Sequence, residues 1–332
     1  MSHPSSPRRG RFAPSPTGGL HLGSALVALV AWLSVRSQGG VYIWRVEDID
    51  GPRVIPGTAE QQMDEAQWLG LDWDEGPDIG GPNVPYFQSE RSDEYEAALA
   101  TLADAGRLFP CMISRKDLRN IASAPHGRHG QPPYPKELRP ADLLEDWFDT
   151  YKKSENADAA LRFLVNDNPV SFNDAVMGAL NENVAETTGD FVLKRRDGVY
   201  AYQLAVVVDD IDMGITEVVR GADLLDSTAR QVQLIEALGG HTPTYTHLPL
   251  ILNENGDKLS KQDGALTLAV LREANVRPEA IVGWLAHAVG LAATSEPVHP
   301  HELVRRFVWE RVRTEPIIAS DNLMEHLSTL PS

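Results

Sequence analysis

The feature that most constrains this chain is a strand–helix–strand pattern within residues 8–48. Residues 8–15 read as a short strand running into Pro-rich punctuation, APSPTGG. From Ser24 to Gln38, Ala, Leu and Val fill most positions, and Gly39-Gly40 supply a helix stop. The next run, VYIWRVED at 41–48, reads as a buried strand. Parallel neighbours need a crossover connection, so this spacing makes a parallel βαβ unit and an α/β fold.

Two more helices are expected at 57–69 and 92–105, ending at Gly70 and Gly106. Residues 107–165 lose all periodicity, with Gly and Pro clustered around 127–135, and read as a loop-rich insert. The pattern resumes with a tight turn at Arg196-Asp197-Gly198. Strands or buried segments follow at 204–208 and 215–220. A helix at 226–238 is capped by Asp226 or Ser227 and stopped by Gly239-Gly240. HLPLILN at 247–253 is a strand ending in the turn ENGD, and beyond Lys261 the chain is helical, with Pro278 at a helix start.

A length of 332 residues allows roughly two domains. The longest apolar run, Ala25 to Leu33, is far short of the ~20 residues a bilayer span needs, so no membrane partner is expected. The N-terminal MSHPSSPRRG has no apolar core and is expected to be a loose tail, not a signal peptide. The single cysteine, Cys111, excludes an intramolecular disulfide and fits the cytoplasm. A net charge of -17 argues against nucleic acid unless Arg and Lys are gathered on one face.

Two short runs carry chemistry. HLGS, His21 to Ser24, stands between the first strand and its helix, where free N–H groups and the helix dipole suit phosphate. Gly23 lets a nucleotide lie against the backbone, and His21 can donate to a phosphate oxygen. KLSKQ, Lys258 to Gln262, puts two lysines in a turn, where they can neutralise a leaving pyrophosphate. Alone, each also fits a plain Gly turn or a solvated Lys loop.

In this order, the two runs resemble the HIGH and KMSKS signatures of class I aminoacyl-tRNA synthetases. RFAPSPTGGLHLGS, VEDIDGPR, WLGLDWDEGP, YFQSERSDEY, VVVDD, EVVRGADL and HLPLILNENGDKLSKQ all fall where glutamyl-type members have similar runs, covering most of residues 10–265. The resemblance implies a Rossmann-like catalytic core with an inserted loop-rich subdomain and a short helical C-terminal part. It implies ATP with Mg²⁺ and L-glutamate as substrates. Arg11 and Arg220 would hold the substrate side-chain carboxylate, in keeping with the fork geometry of guanidinium. Glu47 would accept the substrate ammonium, and Ser15 and Tyr202 would line the pocket. His21, Gly23, Ser24, Lys258, Ser260 and Lys261 would bind ATP, with His21, Gly23, Lys258 and Lys261 acting in catalysis. Asp48 and Asp50 follow on the same strand end. Taken singly, Glu47, Asp48 and Asp50 also fit a solvated acidic turn, and Arg220 a surface ion pair with Glu217.

The chain departs from full-length glutamyl enzymes in two ways. The stretch 266–332 has room for a few helices and no anticodon-binding domain. A core of that size resembles the truncated relatives that transfer glutamate to the queuosine base in the anticodon loop of tRNA(Asp), as does Val206, where longer enzymes tend to carry Asn. The zinc pattern of many relatives falls here on Cys111, Ile113, Tyr134 and Leu138, so no structural zinc is expected, with His126 and His129 left open as substitutes. The expected layout is a tail at 1–9, catalytic halves at 10–106 and 191–265, an acceptor-type insert at 107–190 and the helical end at 266–332, in a monomer. A truncated enzyme charging a tRNA 3′ end, an adenylating ligase of small molecules and a non-enzymatic binding paralogue remain the alternatives.

Overall fold

The computed structural model describes residues 7–114, 133–154, 158–257 and 266–330. The N-terminal unit is β1 (Arg9–Phe12), α1 (Leu22–Ser37) and β2 (Val41–Trp44), followed by α2 (Thr58–Trp68) and α3 (Ser92–Asp104). Next come β3 (Leu108–Cys111), α4 (Trp147–Lys153), β4 (Ala160–Phe163), β5 (Val170–Asp174), β6 (Gly178–Glu182), α5 (Val184–Thr187) and β7 (Phe191–Lys194). The chain returns through α6 (Tyr202–Asp212), β8 (Glu217–Gly221), α7 (Thr228–Ala237), β9 (Thr244–Leu248) and β10 (Ile251–Leu252). It ends with α8 (Leu268–Glu273), α9 (Pro278–Val289), α10 (Pro300–Val304), β11 (Ile317–Ile318) and α11 (Leu323–Thr329).

Strands β2, β1, β8, β9 and β5 run parallel in that spatial order, and β6 closes the edge antiparallel to β5. Helix α1 explains much of what surrounds the sheet. Its apolar residues run all round, so it must be covered all round. One side lies on β1, β2 and β8, and the other is covered by α9 and α10. Trp32, fully buried, donates its indole N–H to Asp72 at 2.7 Å and meets the His301 ring edge-on at 4.9 Å. Burying each Leu or Val of such a helix is worth roughly 1.5–3 kcal/mol. The C-terminal stretch is thus part of the wall around the main sheet's first helix. Pro278 stands in the first turn of α9, as its fixed φ suits.

Several readings change. The apolar run 204–208, read as a strand or buried segment, lies in α6, whose residues from Gln203 to Asp210 are all buried. A short apolar run does not distinguish a buried strand from a buried helix, and here packing between α3, β7 and α7 decides. The strand expected over 247–253 is broken into β9 and β10. Ser227 holds the N-cap position of α7 without capping it; its hydroxyl accepts from Gln203 and Arg230 instead. The loop-rich stretch 107–165 carries real sheet: β3, β4 and β7 form an antiparallel three-stranded sheet, while the β5–β6 hairpin extends the main one.

The four positions of the zinc pattern do converge, but as a plug. Cys111 and Tyr134 are buried with Phe109, and Ile113 and Leu138 pack against them. The Cys111 thiol lies 3.6 Å from the Tyr134 hydroxyl, which donates to the Leu138 carbonyl at 3.1 Å. Two hydrocarbon side chains among four positions do not fit a closed zinc site. His126 and His129 lie outside the described residues. Metal analysis of the purified protein should find no stoichiometric zinc, and a strong chelator should leave its melting temperature unchanged. About one zinc per chain, with a fall in melting temperature on chelation, would show that other ligands complete the site.

Candidate active site

Strands β2, β1 and β8 are neighbours, and beyond their carboxyl ends lies a cavity of about 410 Å³. Ligands of open α/β sheets gather at such ends. Arg11 comes from β1, Ser15 from the loop after it, Glu47 from just beyond β2, Tyr202 from the start of α6 and Arg220 from β8. His21, Gly23 and Ser24 line the same cavity at the head of α1. Lys258, Ser260 and Lys261 lie outside the described residues. Asp48 lines neither this cavity nor its neighbour and accepts hydrogen bonds from the backbone and hydroxyl of Ser89. Asp50 lines the neighbouring cavity and pairs with Arg53. Val206 is buried among apolar side chains and lines neither.

At the head of α1, His21 and Ser24 form a reciprocal cap. His21 Nδ1 accepts the Ser24 backbone N–H at 3.2 Å, and Ser24 Oγ accepts the His21 backbone N–H at 3.3 Å. Because Nδ1 is the acceptor, the proton of the neutral ring sits on Nε2. A Cβ on Gly23 would stand 3.0 Å from His21 Cε1, so glycine there also keeps the ring in place. The loop before the helix is pinned from α2: Gln62 donates to the carbonyls of Ser15 and Gly18, and Glu65 accepts the Leu20 N–H. A Cβ on Gly19 would fall 2.8 Å from Gln61 Nε2 and from Glu65 Oε1.

At the other end, a buried ion network fixes two of the expected ligands. Arg45 is fully buried; it donates to Asp210 at 2.7 Å and to Glu47 at 3.2 Å and lies 3.5 Å from Asp209. Arg11 donates to both oxygens of Asp210, at 3.1 and 3.3 Å. Asp209 is also held by Arg91, Gln88 and Tyr95. Burial works against the charge of Asp210, but Arg11 and Arg45 outweigh it and lower its pKa. Burial dominates at Glu47 and raises its pKa despite the same two arginines. The signs differ for stability: Asp210 contributes stability that is lost only as pH falls through its depressed pKa, whereas ionising Glu47 costs stability.

Arg220 is only 4% exposed, and its hydrogen bonds all go to neutral groups: His247 Nε2 at 2.9 Å, Gln231 at 2.7 Å and Thr228 at 2.8 Å. Among the described residues no carboxylate forms an ion pair with it. Glu217, the partner imagined for it, is engaged by Arg8 and Ser34. A buried cation with neutral neighbours is ready for an anion from outside.

The neighbouring cavity, about 780 Å³, shares Ser15, Thr17, Glu47 and Tyr202 with the first and extends toward β4 and β7. Its walls carry four guanidiniums, from Arg53, Arg162, Arg195 and Arg230, and the rings of Tyr134 and Tyr200. Sequence reasoning missed Arg45, Asp210 and His247 as supports of the site. The signals existed: an arginine within the apolar run VYIWRV and a pair of aspartates closing the apolar run of α6.

The model of the catalytic domain of class I tRNA synthetases of the E and Q type matches residues 8–325. A protein of Symbiobacterium thermophilum named glutamyl-Q tRNA(Asp) synthetase is 49% identical over 312 residues, spanning 93% of this chain and 94% of its own. A protein of the same name from Nitratidesulfovibrio vulgaris is 43% identical over 319 residues, spanning 96% of this chain and 98% of its own. The crystal structure of a glutamate-tRNA synthetase from Elizabethkingia anophelis superposes with a TM-score of 0.84 at 31% identity, covering 97% of this chain and 70% of that one.

Replacing Arg45 by Met leaves Glu47, Asp209 and Asp210 short of a buried cation. Loss of one partner from a buried network costs about 3–5 kcal/mol, which a urea midpoint would report. Adding Glu47→Gln to Arg45→Met should recover part of the loss, because Glu47 is the carboxylate whose only ion-pair partner among the described residues is Arg45. An unchanged midpoint for Arg45→Met would mean that the network does not hold the site.

Proposed function

The chain belongs to the class I tRNA synthetases of the E and Q type, and from that premise we propose that it activates L-glutamate with ATP and transfers the glutamyl group to the queuosine base of tRNA(Asp). The observation that carries the glutamate half is Arg220, a buried guanidinium in the cavity wall with only neutral partners. With Arg11 it receives the substrate side-chain carboxylate, while Glu47 takes the ammonium and Ser15 and Tyr202 line the space between. ATP lies toward the head of α1, with phosphate oxygens at the helix N-terminus and the His21 Nε2–H directed to them. Mg²⁺ enters with ATP, held chiefly by its phosphates.

A carboxylate oxygen of glutamate attacks the α-phosphorus, an acyl–phosphate bond forms, and the bond to pyrophosphate breaks. Positioning and charge stabilisation supply the rate, with Lys258 and Lys261 neutralising the pyrophosphate. In the second step a hydroxyl of the queuosine cyclopentene ring attacks the acyl carbon, AMP leaves, and the hydroxyl proton is released. The tRNA half rests on the relatives that bear the glutamyl-Q name along nearly their whole length and on the larger cavity, where guanidiniums and tyrosine rings suit the phosphates and the unstacked base of an anticodon loop. The larger cavity adjoins the first at Glu47 and Tyr202, so base and adenylate meet there. The insert presents the base, the two catalytic parts hold the adenylate, and the protein acts as a monomer in the cytoplasm.

Labelled glutamate, ATP and tRNA from cells with and without queuosine test this reading. Label should enter only the queuosine-bearing pool and stay with the anticodon fragment after ribonuclease digestion. Equal labelling of both pools, or label on the terminal adenosine, would leave an enzyme that charges a tRNA 3′ end.

The elevated pKa of Glu47 gives a pH signature. Its carboxylate must be ionised to receive the ammonium, so the KM for glutamate should rise as pH is lowered through that pKa and fall as pH is raised above it. Glu47→Gln should remove this limb of the profile; if the limb survives, another group is titrating.

A further inference from the structure

Arg220 is aimed by a chain of buried groups running across three adjacent strands. Arg220 on β8 stands beside His247 on β9, and Asp174 closes β5 on the far side of β9. Asp174 and His247 are as buried as Arg220. Asp174 Oδ1 accepts the backbone N–H groups of Val176 at 2.9 Å, Met177 at 2.8 Å and His247 at 3.3 Å. Its Oδ2 lies 2.6 Å from His247 Nδ1. On the ring's other side, Nε2 receives the Arg220 Nε–H at 2.9 Å and lies 3.2 Å from the Thr228 hydroxyl.

The proton positions follow from donor chemistry. Guanidinium has no acceptor, so the nitrogen facing it must offer a lone pair. A carboxylate that takes three backbone N–H groups on one oxygen is held ionised, so the nitrogen facing its other oxygen must carry the proton. Both ends demand the neutral Nδ1–H form of His247. Protonating Nε2 would set donor against donor and a second positive charge beside Arg220. Burial lowers the pKa of His247 and keeps it neutral.

We propose that Asp174 and His247 are positioning residues for glutamate: they lock the imidazole as its Nδ1–H tautomer, so that Nε2 fixes Arg220 with its guanidinium facing the cavity. The reading rests on Arg220 receiving the substrate carboxylate. It gives the β5–β6 hairpin, added to the edge of the main sheet, a part in amino-acid recognition. A support that fixes only the carboxylate clamp should act on glutamate affinity and leave ATP alone.

Asp174→Asn is the direct test. The three backbone donors compel the amide oxygen to face them, which turns the NH₂ toward His247 Nδ1 and drives the ring proton to Nε2. We expect the KM for glutamate in pyrophosphate exchange to rise about tenfold, with kcat and the KM for ATP within about twofold of wild type. Histidine-selective ¹⁵N NMR, with the His247 signal assigned from the spectrum of His247→Gln, should show the proton on Nδ1 in the wild type and on Nε2 in Asp174→Asn. His247→Gln offers Arg220 an amide oxygen without needing Asp174, so it should restore part of the affinity, and adding Asp174→Asn to it should raise KM no further. An Nε2–H tautomer in the wild type, an unchanged glutamate KM in Asp174→Asn, or an equal rise in the KM for ATP would overturn the proposal. The wild-type tautomer needs neither Asp174→Asn nor substrate, so it tests the relay even if Asp174→Asn does not fold or the protein activates a different amino acid.

Discussion

The site depends on one buried cation. Arg45 leaves the end of a strand core with no exposure and meets Glu47, Asp209 and Asp210. Asp210 in turn holds the fork of Arg11. Two groups of opposite sign, Arg11 and Glu47, are therefore set by the same pair, one on the first sheet unit and one on α6, about 165 residues apart in the chain. Burying these charges is expensive, and their mutual attraction offsets the cost only in a fixed geometry. The gain is a cavity whose charged walls are already in place before a ligand arrives, so less ordering is left for binding to supply.

Charge is distributed unequally around that cavity. In the Arg45 network each guanidinium faces a carboxylate. Arg220 is different, because its cradle of His247, Gln231 and Thr228 supplies acceptors without neutralising its charge. A net charge of -17 describes the whole molecule and hides this local pattern, including the larger cavity's four guanidiniums beside the carboxylates of Glu47, Asp50 and Asp190. Field and contact at a site are set by groups within a few ångströms, since charges farther apart than about 8–10 Å are screened in physiological salt.

The parts outside the βαβ unit have structural work that their sequences conceal. The C-terminal helices cover α1, whose apolar surface would otherwise face water. Within the insert, Phe109, Cys111 and Tyr134 form an apolar plug against which Ile113 and Leu138 pack. The β5–β6 hairpin pairs with β9 and carries Asp174 to His247.

Local pattern by itself determined the α/β class, the first helix (expected over 24–38, observed at Leu22–Ser37), the glycine stops and the HLGS run at a helix head, because each is a matter of neighbouring residues and their periodicity. The ordered runs determined the family, which the matched catalytic-domain model and the relatives establish. Sequence could name Arg11, Glu47 and Arg220, but not what holds them. Only the tertiary structure decided that 204–208 is helical, that Asp209 and Asp210 serve Arg45, and that His247 turns a nitrogen to Arg220. The physical reason is distance along the chain. A buried charge is satisfied by whatever partner the fold brings to within hydrogen-bond reach, and local propensity carries no record of that partner.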